Sequence, residues 1–245
     1  MSDPAYSVTN RPGAAEPVPA VVSLHVYGVS GFGVARAVAN MGLHRGRTRR
    51  IPGATFTKFL GTGAARTFTS RDADPGHWAV LTCWSGEDGP GRFEESQVHE
   101  SWSRIADESA RFLMRPLVSR GSWSGREPFG DPVPRRWDGP VAAVTRARIK
   151  TSQWRAFWSA VPPVSTDLRE VEGLRFALGI GEAPVGLQGT VSIWDSHSQL
   201  TEFAHRRAPH VEVMRRTGER QWYAEELFAR FALIDVSGTY EGREI

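Results

Sequence analysis

Seven histidines, one cysteine and a few strand-borne cations are the residues in this 245-residue chain with the means to do chemistry. No two histidines stand four apart, so the His-x-x-x-His spacing of a helical zinc site is missing. A single cysteine, Cys83, excludes an internal disulfide framework and a cysteine-rich zinc or iron–sulfur site. It lies in the apolar run Trp78-Ala-Val-Leu-Thr-Cys-Trp84 and reads as a small buried hydrophobe. No Gly-x-Ser-x-Gly elbow offers a serine nucleophile. Leu60-Gly-Thr-Gly63 lacks the glycine spacing of a dinucleotide loop, and its glycines suit a tight turn.

His210 draws most interest. It follows Pro209 at an expected helix start and precedes Val211, Val213 and Met214, with Trp222 and Tyr223 further on. A lone histidine among apolar helical residues suits an axial heme ligand, because heme needs one protein ligand where zinc needs three or four. A hydrogen-bonded core or surface histidine fits the same pattern. His99 has Glu95, Glu100 and Arg104 nearby and reads as polar and solvated. Arg146 and Arg148 share one strand face by period two, and Gln188 and Thr190 share another. Lys58 and His25 also fall in strands. Turned inward, these groups suit cofactor carboxylates or a bound oxygen species; turned outward, they are ordinary polar strand positions.

Elements must position these residues, and the chain writes its elements twice. Gly53-Ala-Thr-Phe56 and Leu60-Gly-Thr-Gly63 recur as Gly173-Leu-Arg-Phe176 and Leu178-Gly-Ile-Gly181. An apolar run ends in Trp84 and again in Trp194, and a Phe follows nine residues later at Phe93 and Phe203. A histidine comes next, His99 and His210, and each half closes on a Gly-x-aromatic-x-Gly turn, Gly121–Gly125 and Gly238–Gly242. The first copy reads as strand Val21–Tyr27, helix Phe32–Met41, strands Thr55–Leu60 and Trp78–Trp84, a long helix Gly91–Phe112 and strand Arg115–Trp123. Phe93, Trp102, Ile105 and Phe112 are the expected core contacts of that long helix. The second copy reads as strand Val141–Ile149, helix Gln153–Ala160, strands Leu174–Gly179 and Leu187–Trp194, helices from Ser198 and strand Arg230–Val236.

The order β-α-β-β-α-β is the ferredoxin-like unit, with helices on one sheet face only. Two bare faces cover each other best by packing together. The expected class is therefore α+β: two tandem ferredoxin-like repeats forming a pseudo-twofold, dimeric-type α/β barrel. Residues 1–20 read as a disordered tail, 21–125 and 141–245 as the repeats, and 126–140, with four prolines, as a linker. A net charge of +3 and scattered arginines give no nucleic-acid surface, and the densest run, Arg45–Arg50, reads as a solvated loop. No apolar run approaches the length of a membrane span, and the N-terminus lacks a signal-peptide pattern, so the cytoplasm is the expected location.

Several motifs together resemble the spheroidene monooxygenase family, whose members oxygenate acyclic carotenoids. They are Met41-Gly-Leu43, Pro52–Gly63 with its Thr57-Lys58-Phe59 centre, Arg120-Gly-Ser-Trp-Ser-Gly125 with Pro128-Phe129, Gly179-Ile-Gly-Glu182, Ser192-Ile-Trp194 and Trp222–Phe231. The resemblance covers about Val22 to Gly242. It implies a heme b monooxygenase that acts on a small or polyene substrate with molecular oxygen or peroxide and an external electron donor. It places the axial ligand at His210, with His205 as runner-up, and the heme contacts at Met214, Trp222, Phe176 and Trp194. Arg146 and Gln188 become the candidate catalytic donors. A heme-dependent dehydratase acting on an N–O bond, as in aldoxime dehydratases, and a non-catalytic heme-binding barrel are the rival readings. The fused repeat allows a monomer, and exposed helices leave room for a homodimer.

Overall fold

The computed structural model describes residues 16–63, 73–149, 171–182, 187–206 and 223–245. Eight antiparallel strands close into a barrel, with few helices outside it. In chain order they are β1 (Val21–Gly28), β2 (Ala54–Gly63), β3 (Ala73–Trp84), β4 (Glu108–Gly121), β5 (Val141–Ile149), β6 (Leu174–Gly181), β7 (Leu187–Trp194) and β8 (Tyr223–Tyr240). A two-residue β9 (Arg243–Glu244) folds back on β8. Among the described residues the α-helices are α1 (Phe32–Leu43), α2 (Gly89–Glu94), α3 (Gln97–Ser103) and α4 (His197–Arg206). The first four strands run in the order β4-β1-β3-β2 and the last four in the order β8-β5-β7-β6. Two seams, β2–β6 and β4–β8, close the ring. The tail, the helix at Gln153–Ala160 and His210 lie wholly or mostly outside the described residues.

Strand periodicity divides the apolar side chains between two layers. Inward positions such as Leu24, Leu60, Leu81, Phe112, Val144, Leu178, Val191 and Phe231 fill the barrel. Outward positions of the first half, Tyr27, Phe59, Val80 and Trp84, pack under α1, α2 and α3 with Ala37, Phe93 and Trp102. Outward positions of the second half, Val141, Ala143 and Trp194, pack with Leu200 and Phe203 of α4. Segment 126–140 holds no helix or strand beyond the Trp123–Arg126 bridge, yet it belongs to the core. Its Phe129 is fully buried in the barrel, edge-on to Phe231 at 4.9 Å.

The long helix expected over Gly91–Phe112 does not form. Two short helices stand in its place, and β4 begins at Glu108 instead of near Arg115. Ser96 takes extended backbone and its hydroxyl accepts from the His99 amide at 3.2 Å, so a new helix is capped where the old one was expected to continue. Beyond it Ala110, Phe112 and Met114 are buried alternately, which is period two. Phe112 therefore enters the barrel, while Phe93 and Trp102 pack outside it. β3 starts five residues earlier than expected, and β8 extends from Tyr223 to Tyr240.

The β4–β8 seam depends on two glycines. Gly121 (φ 87°) and Gly238 (φ 97°) occupy left-handed backbone. A Cβ on Gly121 would overlap the Glu226 carbonyl, and one on Gly238 the Ser109 carbonyl. Gly238→Ala is expected to cost about 2 kcal/mol or more, since strained φ adds to backbone overlap. Urea unfolding checks this against Gly242→Ala, a site with left-handed φ but open space.

Candidate functional site

Four of the sequence motifs meet at one barrel end. Lys58 of β2 reaches Glu182, just past β6, at 2.6 Å and Ser124 at 2.6 Å. The Trp123 indole N–H donates to Glu182 Oε1 at 2.6 Å. Arg146 of β5 spans two carboxylates: one guanidinium nitrogen donates to Glu182 at 3.0 Å, the other to Glu225 of β8. Glu225 also accepts from the Gly125 amide at 2.7 Å and from Arg148 at 3.0 Å. The Arg146 guanidinium lies over the Trp123 ring, 5.7 Å from its centroid. Arg146 is only 3% exposed, and among the described residues its Nε–H finds no partner.

Three cations and two carboxylates here nearly cancel. Burial pushes the Glu225 carboxyl up, but the Gly125 amide, Arg146 and the Ser124 amide together hold it at about 2. Burial likewise raises Glu182, and Lys58, Trp123 and Arg146 outweigh it. Arg146 thus faces inward, as Lys58 does, and is already engaged. Thr145 and Ala147 project from the other side of β5.

The two outer sheet faces differ sharply. Val21 pairs with Trp84 in the first half and Val141 with Trp194 in the second. Counting from those anchors, the pair His25–Val80 matches Thr145–Thr190, and Tyr27–Trp78 matches Ala147–Gln188. On the neighbouring strands Phe59 opposes Val80 where Gly179 opposes Thr190. On this face the first half sets His25, Tyr27, Phe59, Trp78 and Val80, and the second sets Thr145, Ala147, Gly179, Gln188 and Thr190. Two further outward positions, Phe228 and Arg230 of β8, flank that sparse face. Phe228 is 38% exposed. Arg230 contacts the His197 ring and, among the described residues, has no carboxylate partner.

In the first half the filled face leaves a small polar cleft of about 260 Å³ between His25, Tyr27, Glu94, His99 and Arg111. His99 is not the solvated residue expected. Its Nδ1 lies 2.8 Å from the Tyr27 hydroxyl and its Nε2 3.1 Å from the Ser103 hydroxyl, one nitrogen donating and the other accepting. Burial lowers the pKa of both His25 and His99 below the ordinary imidazole value, against the pull of Glu94.

The predicted site residues are dispersed. Phe176 lies inside the barrel against Phe112 and Tyr240. Trp194 lies outside it, 5.3 Å from Phe203, its indole bonded to Ser192. Gln188 pairs with Ala147, so its register puts it on the face opposite Arg146, and its side chain lies outside the described residues. His210, Met214 and Trp222 also lie outside them, as does the His205 side chain. A Glu-x-x-His spacing, Glu202 to His205, stands on α4, but a di-iron site needs such a pair on two helices. Sequence reading missed Glu182, Glu225, Phe228 and Arg230 as site residues, although all four lie in motifs it singled out.

The opposite barrel end carries a tighter ionic knot. His77 Nδ1 lies 2.6 Å from Asp74 and Nε2 3.0 Å from Glu108. Glu108 also accepts from the Glu241 and Gly242 amides, which ties down the last turn. Asp74, and then Glu108, outweigh burial and raise His77 to about 9 from 6.5. A raised pKa in the folded state stabilises fully below the unfolded value and is lost as pH climbs through about 9. The melting temperature is therefore expected to fall between neutral pH and pH 9–10, and His77→Gln to flatten that slope.

No protein-family model matches the chain. Over 213 residues it is 34% identical to spheroidene monooxygenase of Rhodobacter capsulatus, covering 84% of this chain and 87% of that one. It is also 34% identical to the Cereibacter sphaeroides protein of the same name over 79% of this chain, a match that spans only 60% of that relative's length. The fold is similar to a crystal structure of aldoxime dehydratase, with a TM-score of 0.58 at 11% identity over 95% of this chain and 90% of that one. With motifs, identity and coverage in agreement, the chain belongs to the spheroidene monooxygenase family.

Proposed function

We propose that this protein is a cytoplasmic, heme-dependent monooxygenase in which the second half carries heme b. On this reading the two halves are diverged ferredoxin-like repeats. The carrying observation is the outer face of the second sheet, where Thr145, Ala147, Gly179 and Thr190 stand at the registers that His25, Tyr27, Phe59 and Val80 fill in the first. Gln188 apart, the residues on that face are small and suit a flat group lying against the sheet. His210, which follows α4 in the chain, would be the residue that holds the heme iron, with Met214 and Trp222 near it in sequence. Phe228 offers apolar contact, and Arg230 offers a cation to an anionic edge.

When bound, heme supplies the redox chemistry that transfers one oxygen atom from dioxygen or peroxide to a small or polyene substrate. The chain's own work is to hold, orient and exclude water. Arg146, turned into the barrel and clamped by Glu182 and Glu225, fixes β5 and β8 against β6 and so positions the outer face. Gln188 shares the outer register with Ala147 and is the better placed of the two expected donors. With dioxygen a separate donor protein would supply two electrons and the second oxygen atom would leave as water; with peroxide no electron donor is needed.

Titration of the purified protein with hemin, followed by oxidised and reduced absorption spectra, tests this. A saturable Soret band with one histidine-ligated heme per chain is expected, and its absence overturns the reading. Turnover that continues after a single reduction, without further electrons, would assign dehydratase chemistry instead.

A further inference from the structure

α1 is apolar on two sides. Val34, Ala37 and Met41 face the core of the first half. On the outward side Phe32 is 93% exposed, Leu43 63% and Val38 57%, with Ala35 and Ala39 between them. The only charge on the helix is Arg36. Scattered exposed hydrophobes are ordinary, but three large ones on one outward stripe of a single helix mark an interaction surface.

The chain on either side of this stripe carries one sign of charge. Arg45, Arg47, Arg49 and Arg50 follow the helix, and all four are exposed. Among the described residues neither they nor Arg36 forms an ion pair. Between Glu16 and Asp72 the chain has eight basic residues and no acidic one, although the whole protein carries only +3. An arginine run that reads alone as a solvated loop thus rims an unpartnered apolar stripe.

We infer that α1 and the arginines after it form a docking surface for an anionic lipid bilayer. A 12-residue helix is about 18 Å long and lies in the interface plane. Phe32, Val38 and Leu43 enter the acyl boundary while the guanidinium groups meet lipid phosphates. Among the described residues no helix is long and apolar enough to cross a membrane, so the contact is peripheral. A second copy of this chain fits less well, because isologous pairing sets two arginine rims against each other. A nucleic acid would use the arginines but leave the apolar stripe in water. The inference does not depend on heme binding.

Co-sedimentation of the full chain with phosphatidylcholine vesicles, with and without phosphatidylglycerol, tests it. Binding is expected only to the anionic vesicles and is expected to be released by salt. The double variant Phe32→Ser, Leu43→Ser should lower partition by about tenfold or more. Each of Arg47→Gln and Arg50→Gln should lower it by about fivefold. All four side chains are exposed, so unchanged circular dichroism and melting are expected alongside. Absent binding, equal binding to neutral vesicles, or variants that bind like the parent overturn the inference. So does a dimer that the serine variant converts to monomer without any vesicle binding, or a salt-sensitive shift of duplex DNA with no vesicle binding.

Discussion

Arg146→Met is expected to lower the unfolding free energy by about 3–5 kcal/mol, a large share of the 5–15 kcal/mol of a typical domain. Arg146 is almost wholly buried and bridges Glu182, just past β6, and Glu225 of β8. Methionine fills much of the volume but leaves both carboxylates facing apolar surroundings with fewer partners. Lys58 and Arg148 still reach one carboxylate each, so the barrel weakens without becoming unfoldable. Arg146→Lys should recover less than half of the loss. An ammonium can approach one carboxylate closely, whereas the guanidinium fork serves both.

The pH dependence separates this explanation from simple repacking. Glu225 is depressed to about 2 in the folded protein against an ordinary 4.5. A depressed carboxyl contributes stability above its unfolded pKa and loses it as pH falls toward the folded one. The wild-type protein should therefore lose stability between about pH 4.5 and 2. Arg146→Met should have a shallower slope there, so that the two curves converge in acid. A constant gap between the curves, read by urea unfolding at several pH values, would mean that packing and not charge carries the loss.

This network also marks what a sequence can and cannot disclose. β5 and β7 were readable to the residue because Val141–Ile149 and Leu187–Trp194 are β-rich runs. Two strand ends were readable too: Trp84 and Trp194 each close a strand, opposite Val21 and Val141. β4 was not, because Glu108–Arg111 looks polar until its partner is known. Arg111 is outward and pairs with Glu94 and with Asp235, 124 residues away. A helical reading of Gly91–Phe112 could not anticipate a charge satisfied across the β4–β8 seam.

The same limit applies to the site. Lys58 and Glu182 are 124 residues apart, and Arg146 and Glu225 are 79 apart. No spacing rule joins them. The usable signal was indirect: Lys58, Trp123, Glu182 and Glu225 each lie in a different motif of the resemblance. Motifs that are unremarkable singly become informative once they touch. Gln188 shows the converse. It was grouped with Arg146 because both are polar strand residues, and the register separates them onto opposite faces.

Ala147→Tyr is the sharpest test of where heme would lie, and it should abolish or greatly weaken uptake. The substitution gives the second sheet the residue that the first carries at the matching register, Tyr27. In the first half that ring is fully buried, stacked 5.4 Å from Trp102, and leaves no room for a flat group. Ala147 is only part-buried and lies beside the exposed Thr145, so a tyrosine there has space to be accommodated without unfolding the barrel. Hemin affinity should fall by about 10–100-fold or more through overpacking, while circular dichroism and melting stay near the parent values. Tyr27→Ala, the reverse change, should not create a second heme site, because the first half's histidine, His99, is already held by Ser103 and lies among the rings of Phe93 and His25. His210→Ala should remove the histidine-ligated spectrum, whereas His205→Ala and His99→Ala should retain it. If Ala147→Tyr binds hemin as the parent does while His210→Ala does not, the ligand assignment stands and the sheet face assigned to it is wrong. Unaltered spectra in both variants would remove heme from the second half altogether.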